Sequence, residues 1–391
     1  MRWIGNWHAA LVMMVICTSS GNLFAGGWDR FDQSIDLLFD PGEVTFEARL
    51  YDLVPHRKFN TVNGIAESVN EIPNIFRPSL NGKFVPFDNA ACLASYRRPF
   101  GVDNDYGSTW SQASVVVSRS LSVEEIGLTC SYRTQASDGY LRLIGGVTES
   151  FATYHEEALR QLPNMSSIRP TLDLNASAMG WRAGLAYELP PQGLRASIMY
   201  YSNLDFSARG TLRQLPLGGN AFLDSVPVQA GAPLPRAVEG KIQTAFSPTW
   251  FNTVAVKWAG WSTVTSIPVI LTADSGPLRT GRALSTLNAF FRDGVTISDT
   301  VTHQWNDKLA LSLNLGWDRG VSTGWTDNTD TWQTLGFINY KIFDHLELTG
   351  GIGLLVLTGG AIDKLAQGGS FNATFGTGNI LFTHVGFRYR F

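Results

Sequence analysis

The 391-residue sequence has no long apolar run, few cysteines and no strong excess of charge of one sign. Beyond residue 25, no stretch approaches the roughly 18 consecutive apolar residues of a membrane-spanning helix, which excludes a helical membrane protein. The formal net charge of −3 leaves no footprint of a nucleic-acid-binding protein. A Gly-x-Ser-x-Gly motif and a His/Cys cluster with metal-ligand spacing are also missing, so the sequence gives no catalytic signature and predicts no cofactor.

The first 25 residues have the layout of a cleavable secretion signal. Arg2 precedes an apolar core at residues 9–16, and a polar stretch then leads to Ala25. The core is far shorter than the roughly 20 residues of a spanning helix, so we expect cleavage after Ala25. A lipoprotein signal with Cys17 as its lipidated residue is the alternative, but the bulky Ile16 before it fits that role poorly.

Removal of the signal would leave two cysteines, Cys92 and Cys130, in an oxidising compartment. A single disulfide between them is the simplest interpretation, and two unrelated free thiols are the alternative. The signal carries Arg2 and no acidic residue, so its loss changes the formal net charge from −3 to −4.

The end of the chain has the alternation of a membrane β-strand. Over residues 379–391 apolar side chains recur at every second position, and the last residue is the aromatic Phe391. The clearest example is 308–318, where Leu or Trp occupies alternate positions from Leu309 to Trp317. Lipid offers no hydrogen-bond partner to a bare backbone, so a sheet spans a bilayer only as a closed barrel. An aromatic terminus is also the feature that barrel-assembly machinery is expected to recognise during biogenesis.

Short polar turns and long connections alternate along the chain, which is the layout of an outer-membrane barrel. The sequence therefore predicts an all-β, transmembrane antiparallel β-barrel of about 14 strands in contact with lipid of the bacterial outer membrane. Periodicity is poorest over 56–121, where strands at 92–100 and within 69–89 are needed to reach an even number. The predicted extracellular connections are 155–171, 209–236, 268–290, 319–330 and 358–378.

Two of these connections are unusually apolar. Residues 209–236 are rich in Pro and Gly with scattered Leu, Phe and Val, and 278–291 place Leu284, Leu287 and Phe290 on one face of a short amphipathic helix. Apolar loops favour a lipophilic ligand over a sugar or an ion. The alternative is that these side chains only pack the loops together.

Several short stretches resemble one known family. Phe39-Asp40-Pro41-Gly42, followed by residues 43–48 and 53–55, is similar to the passage from hatch to first strand in the FadL family of outer-membrane long-chain fatty-acid transporters. Residues 256–262, 291–294 and 305–309 resemble the same family. The resemblance implies a monomeric 14-stranded barrel whose N-terminal segment enters the lumen as a hatch. It also implies that loops capture a hydrophobic substrate, which leaves sideways through the wall.

The resemblance divides the chain into a signal at 1–25, a hatch or plug at 26–42 and a barrel at 43–391. The hatch is short, lacks a glycine-rich stretch, and reads Asp40-Pro41-Gly42 where the family has Asn-Pro-Ala. These departures leave the substrate open between a long-chain fatty acid and another hydrophobic compound.

A carboxylate amphiphile needs an apolar slot for its tail and one or two cations for its head. Strand alternation places six basic residues on the lumen side, and the hatch adds four more candidates. The candidate ligand-binding residues are Arg30, Phe31, Leu38, Phe39, Arg182, Arg195, Lys241, Lys257, His384 and Arg388. Glu125, Glu239, Asp318 and Glu347 face the same interior, so the alternative is that the lumen charges pair with each other.

These features together predict passive, ATP-independent uptake of a hydrophobic solute such as a long-chain fatty acid. A general diffusion porin or structural barrel is the second class, although porins leave an aqueous channel that a hydrophobic N-terminal segment would obstruct. An outer-membrane lipid hydrolase is the third class. It would need a Ser/His pair, and none of the histidines beyond residue 25 lies in a serine signature.

Overall fold

A computed structural model describes residues 26–29, 35–70, 72–163 and 167–391. The predicted signal and the candidate residues Arg30 and Phe31 lie outside the described residues. The strands are β1 (Val44–His56), β2 (Phe59–Val62), β3 (Ile65–Ala66), β4 (Ile75–Phe87), β5 (Ala90–Asp105), β6 (Ser118–Ala136), β7 (Gly139–Glu157), β8 (Thr171–Leu189), β9 (Leu194–Tyr201), β10 (Leu204–Gly218), β11 (Ala221–Leu234), β12 (Ala237–Ala245), β13 (Trp250–Ala259), β14 (Ser266–Leu271), β15 (Ala283–Asn288), β16 (Gly294–Gln304), β17 (Leu309–Arg319), β18 (Thr331–Phe343), β19 (Leu346–Leu357), β20 (Gly360–Asp363), β21 (Asn372–Phe375) and β22 (Gly378–Arg390).

Short 3-10 helices interrupt this pattern at Asp36–Phe39, Pro190–Gln192, Trp261–Thr263 and Leu365–Gln367. Within the described ranges, no helix has the length and hydropathy needed to cross a membrane.

Fourteen antiparallel passes close into a barrel, which confirms the predicted fold and strand number. Neighbouring passes pair in chain order, and β1 pairs with both β4 and the last strand β22, so the described strands close into a ring. Four passes are divided: β9 continues as β10, β11 as β12, β13 as β14 and β15 as β16. Each half of a divided pass pairs with the part of the neighbouring pass that lies at the same height along the barrel axis.

Side chains alternate between the outside and the interior of the barrel. On β17, Leu313 and Leu315 are each 50% exposed, whereas Asn314 between them is 0% exposed. The lumen-facing assignment of the six basic residues and four acidic residues is likewise confirmed, because each of them is buried. The outer surface is therefore apolar and the interior carries the charge, as a membrane barrel requires.

The two ends of the barrel differ in the length of their connections. Tight turns such as that between β18 and β19 lie at one end, here the turn end, where the chain also finishes. Long connections lie at the opposite end, here the loop end. There, β20, β21, β2 and β3 form a separate four-stranded sheet that joins the connection after β1 to the connection before β22.

The predicted long connection at 209–236 is wrong. Instead, β10 and β11 pair along this stretch, from Leu204 opposite Leu234 to Gly218 opposite Ala221, with a register shift beyond Pro216. Val226 and Val228 are almost fully buried on the inner face. Pro and Gly interrupt strands less when tertiary packing supplies a buried face, and here that packing outweighs the local turn signal.

The predicted connection at 268–290 and its amphipathic helix are also wrong in part. Leu284 and Leu287 lie in strand β15, which pairs with β14. A helix of about 12 residues is marginal without a packing partner, whereas the hairpin completes two passes of the barrel wall.

Cys92 and Cys130 lie directly opposite each other on β5 and β6 and form a disulfide, with their Cα atoms 4.0 Å apart. This disulfide confirms the predicted pairing of the two cysteines and joins two adjacent passes.

Candidate functional site in the barrel interior

The described part of the N-terminal segment, residues 26–29 and 35–42, lies inside the ring of strands. Trp28 packs edge-on against Trp261 and Phe291, with ring centroids 6.1 and 5.6 Å away. Its carbonyl accepts a hydrogen bond of 2.9 Å from the backbone N–H of Gly101 in β5. Trp28 is 8% exposed. Aromatic packing and one backbone hydrogen bond thus hold this end of the segment against the wall.

Asp40 anchors the other end of the segment at the turn end of the barrel. The Arg390 guanidinium donates hydrogen bonds of 3.1 and 3.0 Å to its two carboxylate oxygens, and the Thr45 hydroxyl donates one of 3.0 Å. Burial opposes ionisation of Asp40, but the hydrogen bond and charge of Arg390 outweigh it and lower the pKa of this carboxyl. The Lys83 ammonium also donates a hydrogen bond of 2.7 Å to the Asp40 carbonyl.

Three of the predicted lumen cations meet carboxylates of the N-terminal segment. Arg195 and Lys241 donate hydrogen bonds of 3.0 and 2.9 Å to Asp36. Lys257 donates one of 2.6 Å to Asp29. All five groups are buried. Removing one partner of a buried ion pair destabilises a folded protein by several kcal/mol, because the other charge is left buried and unpaired. These pairs therefore tie the segment to the barrel.

The candidate residues Leu38 and Phe39 belong to the same assembly. The Leu38 carbonyl accepts a hydrogen bond of 3.2 Å from Arg142. The Phe39 ring lies between the guanidinium groups of Arg142 and Arg195, at 4.7 and 4.3 Å. Cation–π contacts of this type stabilise each buried pair by about 0.5–2 kcal/mol.

The remaining candidates lie elsewhere in the interior. Arg182 contacts Glu125 at 3.3 Å, and Arg388 contacts Glu47 at 2.6 Å. His384 stacks on Tyr51 with ring centroids 4.7 Å apart. Within the described part of the chain, neither ring nitrogen of His384 has a hydrogen-bond partner. The structure thus places these residues in separate groups and not in one cluster with Arg195 and Lys241.

An apolar cavity of about 110 Å³ lies beside Trp28 toward the loop end. Its apolar lining comprises Trp28, Val102, Leu121, Val123, Ala152, Leu172, Leu174, Ala176, Phe206, Ala208, Ala230, Ala232, Leu234, Ile267, Val269 and Leu287. None of these residues except Trp28 belongs to the predicted hatch. The signal that would have indicated them is the recurrence of alanine at inward positions of neighbouring strands, which leaves space between the backbones.

Five residues with polar side chains also border this cavity: Arg119, Tyr154, Glu156, Ser285 and Thr286. Arg119 Nε and the Tyr154 hydroxyl donate hydrogen bonds of 2.7 and 2.6 Å to the same Glu156 oxygen. The guanidinium and carboxylate therefore neutralise each other at the edge of a space that is otherwise uncharged and mostly apolar.

Lys364 lies in the connection between β20 and β21. Its ammonium is 4.5 Å from the centroid of the Phe371 ring and 5.7 Å from that of Trp325. Burial, and then the neighbouring positive charge of Arg119, lower the pKa of Lys364 to about 8. The ammonium is thus charged at neutral pH but easily neutralised.

The wall between β4 and β5 is split toward the loop end. Their pairing runs from Phe87 opposite Ala90 to Leu80 opposite Tyr96, and beyond that point β4 pairs with β1 and β5 with β6. The register of β5 shifts after Arg97. Arg77 crosses the split and contacts Asp103 at 2.9 Å.

A sequence profile of the family described as Outer membrane protein transport protein (OMPP1/FadL/TodX) matches residues 54–320, which is more than half of the chain. The chain belongs to this family. Because it belongs to this family, the chain is a transport protein for hydrophobic compounds and not an enzyme, and it lies in the Gram-negative outer membrane. A comparison with curated protein sequences finds no match. In such barrels the short turns face the periplasm and the longer loops face outward, so the loop end is extracellular.

Solved structures show the same fold. A FadL homologue from Pseudomonas aeruginosa superimposes with a TM-score of 0.75 at 11% identity, covering 91% of this chain and 92% of that one. The toluene transporter TbuX of Ralstonia pickettii gives a TM-score of 0.66 at 14% identity, with 90% of each chain covered. The toluene transporter TodX of P. putida gives 0.64 at 15% identity, covering 91% of this chain and 92% of its own.

Proposed function

We propose that this family member takes up uncharged hydrophobic molecules of about the size of one aromatic ring. The observation that carries the proposal is the apolar cavity beside Trp28, where the charges of Arg119 and Glu156 neutralise each other. An engineered apolar cavity of roughly 150 Å³ stays dry and binds benzene, and the cavity here is of similar size at about 110 Å³. The likeness to toluene transporters adds support from the fold.

The N-terminal segment is proposed to act as the hatch below this cavity. Trp28 forms part of the cavity lining, and Asp29 and Asp36 bind lysine and arginine side chains of the barrel. Passive passage then needs only a shift of the segment that opens space beside Trp28. The split between β4 and β5 supports the sideways exit that the family resemblance implies.

A long-chain fatty acid is the second candidate substrate, and Lys364 favours it. Its ammonium interacts electrostatically with Arg119 and Glu156, two of the residues that border the cavity. A carboxylate head group would balance this charge while the tail enters the cavity.

The two candidates are distinguished by uptake of radiolabelled toluene and oleate into cells that lack their own transporter and express this chain. Ala230→Phe fills the cavity from β11, and Gln229→Phe adds the same ring on the exposed outer face. The added ring would occupy the space that toluene needs, so we expect Ala230→Phe to lower toluene uptake about tenfold, equivalent to about 1.4 kcal/mol, while Gln229→Phe has little effect.

Oleate uptake without toluene uptake would favour the fatty-acid candidate. Equal toluene uptake by cells with and without the wild-type chain would contradict the proposal. Flux of a small sugar through the wild type would instead indicate an open porin.

A further inference from the structure

A polar pair lies on the outer, lipid-facing surface of the barrel. Asp299 of β16 and Asn252 of β13 both point outward, and the Asn252 amide donates a hydrogen bond to the Asp299 carboxyl group. The outward residues around Asp299 are apolar: Val254, Ile297 and Leu315 are 39%, 43% and 50% exposed. The pair is therefore surrounded by the side chains that contact lipid.

The carboxyl group lies at mid-height in the apolar band. On β13, the outward residues Trp250 and Trp258 mark the two edges of that band, because outward aromatic residues flank the hydrocarbon region of a barrel. Val254 is the middle outward position between them, and it lies directly opposite Asp299. The band is about 25 Å tall, so water is roughly 12 Å away and beyond the reach of an aspartate side chain.

The hydrogen-bonding capacity of this pair is only partly used. A carboxyl group has two oxygens, and an asparagine amide has two N–H groups. The bond between Asn252 and Asp299 uses one oxygen and one N–H, and neither side chain has a further hydrogen-bond partner among the residues that the structure describes. Polar groups in hydrocarbon are costly unless they are paired, so a polar group of another molecule would stabilise this surface.

A second copy of the chain supplies the matching groups by symmetry. Both copies insert with the loop end outward, so a two-fold axis between them runs along the membrane normal. Such a rotation exchanges left and right but keeps the height. With the axis between β13 and β16, Asn252 of each copy faces the β16 strand of the other, which carries Asp299. The second N–H of each Asn252 then points toward the unused oxygen of Asp299 in the other copy.

We propose that two copies of this chain associate in the membrane through the face formed by β12, β13, β16 and β17, with Asn252 and Asp299 at its centre. The outer face of β12 allows close approach, because no atom lies within 4 Å of a Cβ atom added to Gly240. The FadL resemblance implies a monomer, and this dimer is a departure from it. The inference does not depend on which solute the barrel transports.

Sedimentation equilibrium of the folded protein in density-matched detergent micelles tests the proposal, because it gives the dissociation constant of the dimer. Asp299→Leu removes the carboxyl group, whereas Asp299→Asn keeps a hydrogen-bonding side chain. Glu149→Leu is the matched control, since Glu149 is an outward carboxylate on β7, far from the proposed face. Gly240→Trp leaves the polar pair intact but adds bulk to the face. Heat-dependent migration in gels verifies that each variant is folded.

We expect a reversible dimer for the wild type, and a dissociation constant about tenfold higher for Asp299→Leu, equivalent to about 1.4 kcal/mol. Asp299→Asn should retain the dimer within about threefold, because an amide also forms hydrogen bonds in the membrane. Glu149→Leu should have no effect. The midpoint of denaturant unfolding should not fall in Asp299→Leu, because leucine suits a lipid-facing position.

A wild-type protein that is monomeric at every concentration would overturn the proposal. A dimer of unchanged strength in folded Asp299→Leu would overturn the role of the polar pair. If that variant does not fold, Gly240→Trp decides the test: a weaker dimer supports the assigned face, and an unchanged dimer contradicts it.

Discussion

Lys364 is a lysine whose surroundings disfavour its charged form. Burial lowers its pKa to about 8, well below the ordinary 10.5. Between these values the unfolded chain binds a proton that the folded chain does not, so the free energy of unfolding should rise as pH increases from 8 to 10.5. Lys364→Met should remove this part of the pH dependence. The measurement is denaturant unfolding in detergent across that pH range.

The exposed turn residue Lys308 provides a control for this prediction, because Lys308→Met removes a charge without changing the aromatic surroundings of Lys364. An identical pH profile for the wild type and Lys364→Met would contradict the assignment.

Position 27 requires glycine for two reasons, which are its backbone conformation and the closeness of the Trp261 ring. Its φ is +54°, and a Cβ atom would lie 2.6 Å from the Trp261 ring. Gly27→Ala should therefore displace the N-terminal segment from Trp261 and raise permeation of a small sugar. Gly64→Ala is the control: its φ is +80° but no atom lies within 4 Å of the added Cβ, so only the backbone cost of about 1–2 kcal/mol applies. Unchanged sugar permeation in Gly27→Ala would argue against a plug at this position.

The direction of charged side chains could be predicted from the sequence, but their partners could not. Alternation alone places Lys241 and Lys257 in the lumen. Their carboxylates, Asp36 and Asp29, lie 205 and 228 residues earlier in the chain. No local pattern connects such distant residues, because barrel closure and the path of the N-terminal segment bring them together.

The N-terminal segment is the element on which the proposed transport depends most. Asp36→Asn would keep the size of the side chain but remove the charge that binds Arg195 and Lys241. Breaking a buried pair costs about 3–5 kcal/mol, so we expect the segment to detach more often and the single-channel conductance in planar bilayers to increase. The change should be absent in Asp274→Asn, whose exposed pair with Arg279 contributes little. Conductance at the wild-type level in Asp36→Asn would show that this pair does not hold the segment.

The divided passes show where strand patterns mislead. β10 and β11 contain Pro216, Pro227 and several glycines, which by themselves indicate a loop. The inward alternation of Val226, Val228 and Ala230 is the stronger signal, but it is recognisable only when the buried apolar cluster into which these residues pack is known. Local turn chemistry and burial disagree here, and burial decides the structure.

For the whole molecule, the strand count and the two faces of the wall follow from period-2 alternation, because lipid permits no open edge. The position of the cavity does not follow from that rule. It depends on which inward positions carry alanine on strands that are adjacent in the barrel, and on Trp28 entering from the other end of the chain.

The loop-end sheet has a consequence for how the barrel stays shut. β2 and β3 follow the first pass, whereas β20 and β21 precede the last, so their pairing reaches across the seam at which the two ends of the wall meet. The pairing of β2 with β21 joins residues more than 300 positions apart, such as Phe59 with Phe375, so it can form only after both ends of the wall are in position. Contacts between residues so distant in the sequence form slowly. We expect the sheet, once paired, to slow the reopening of the seam between β1 and β22.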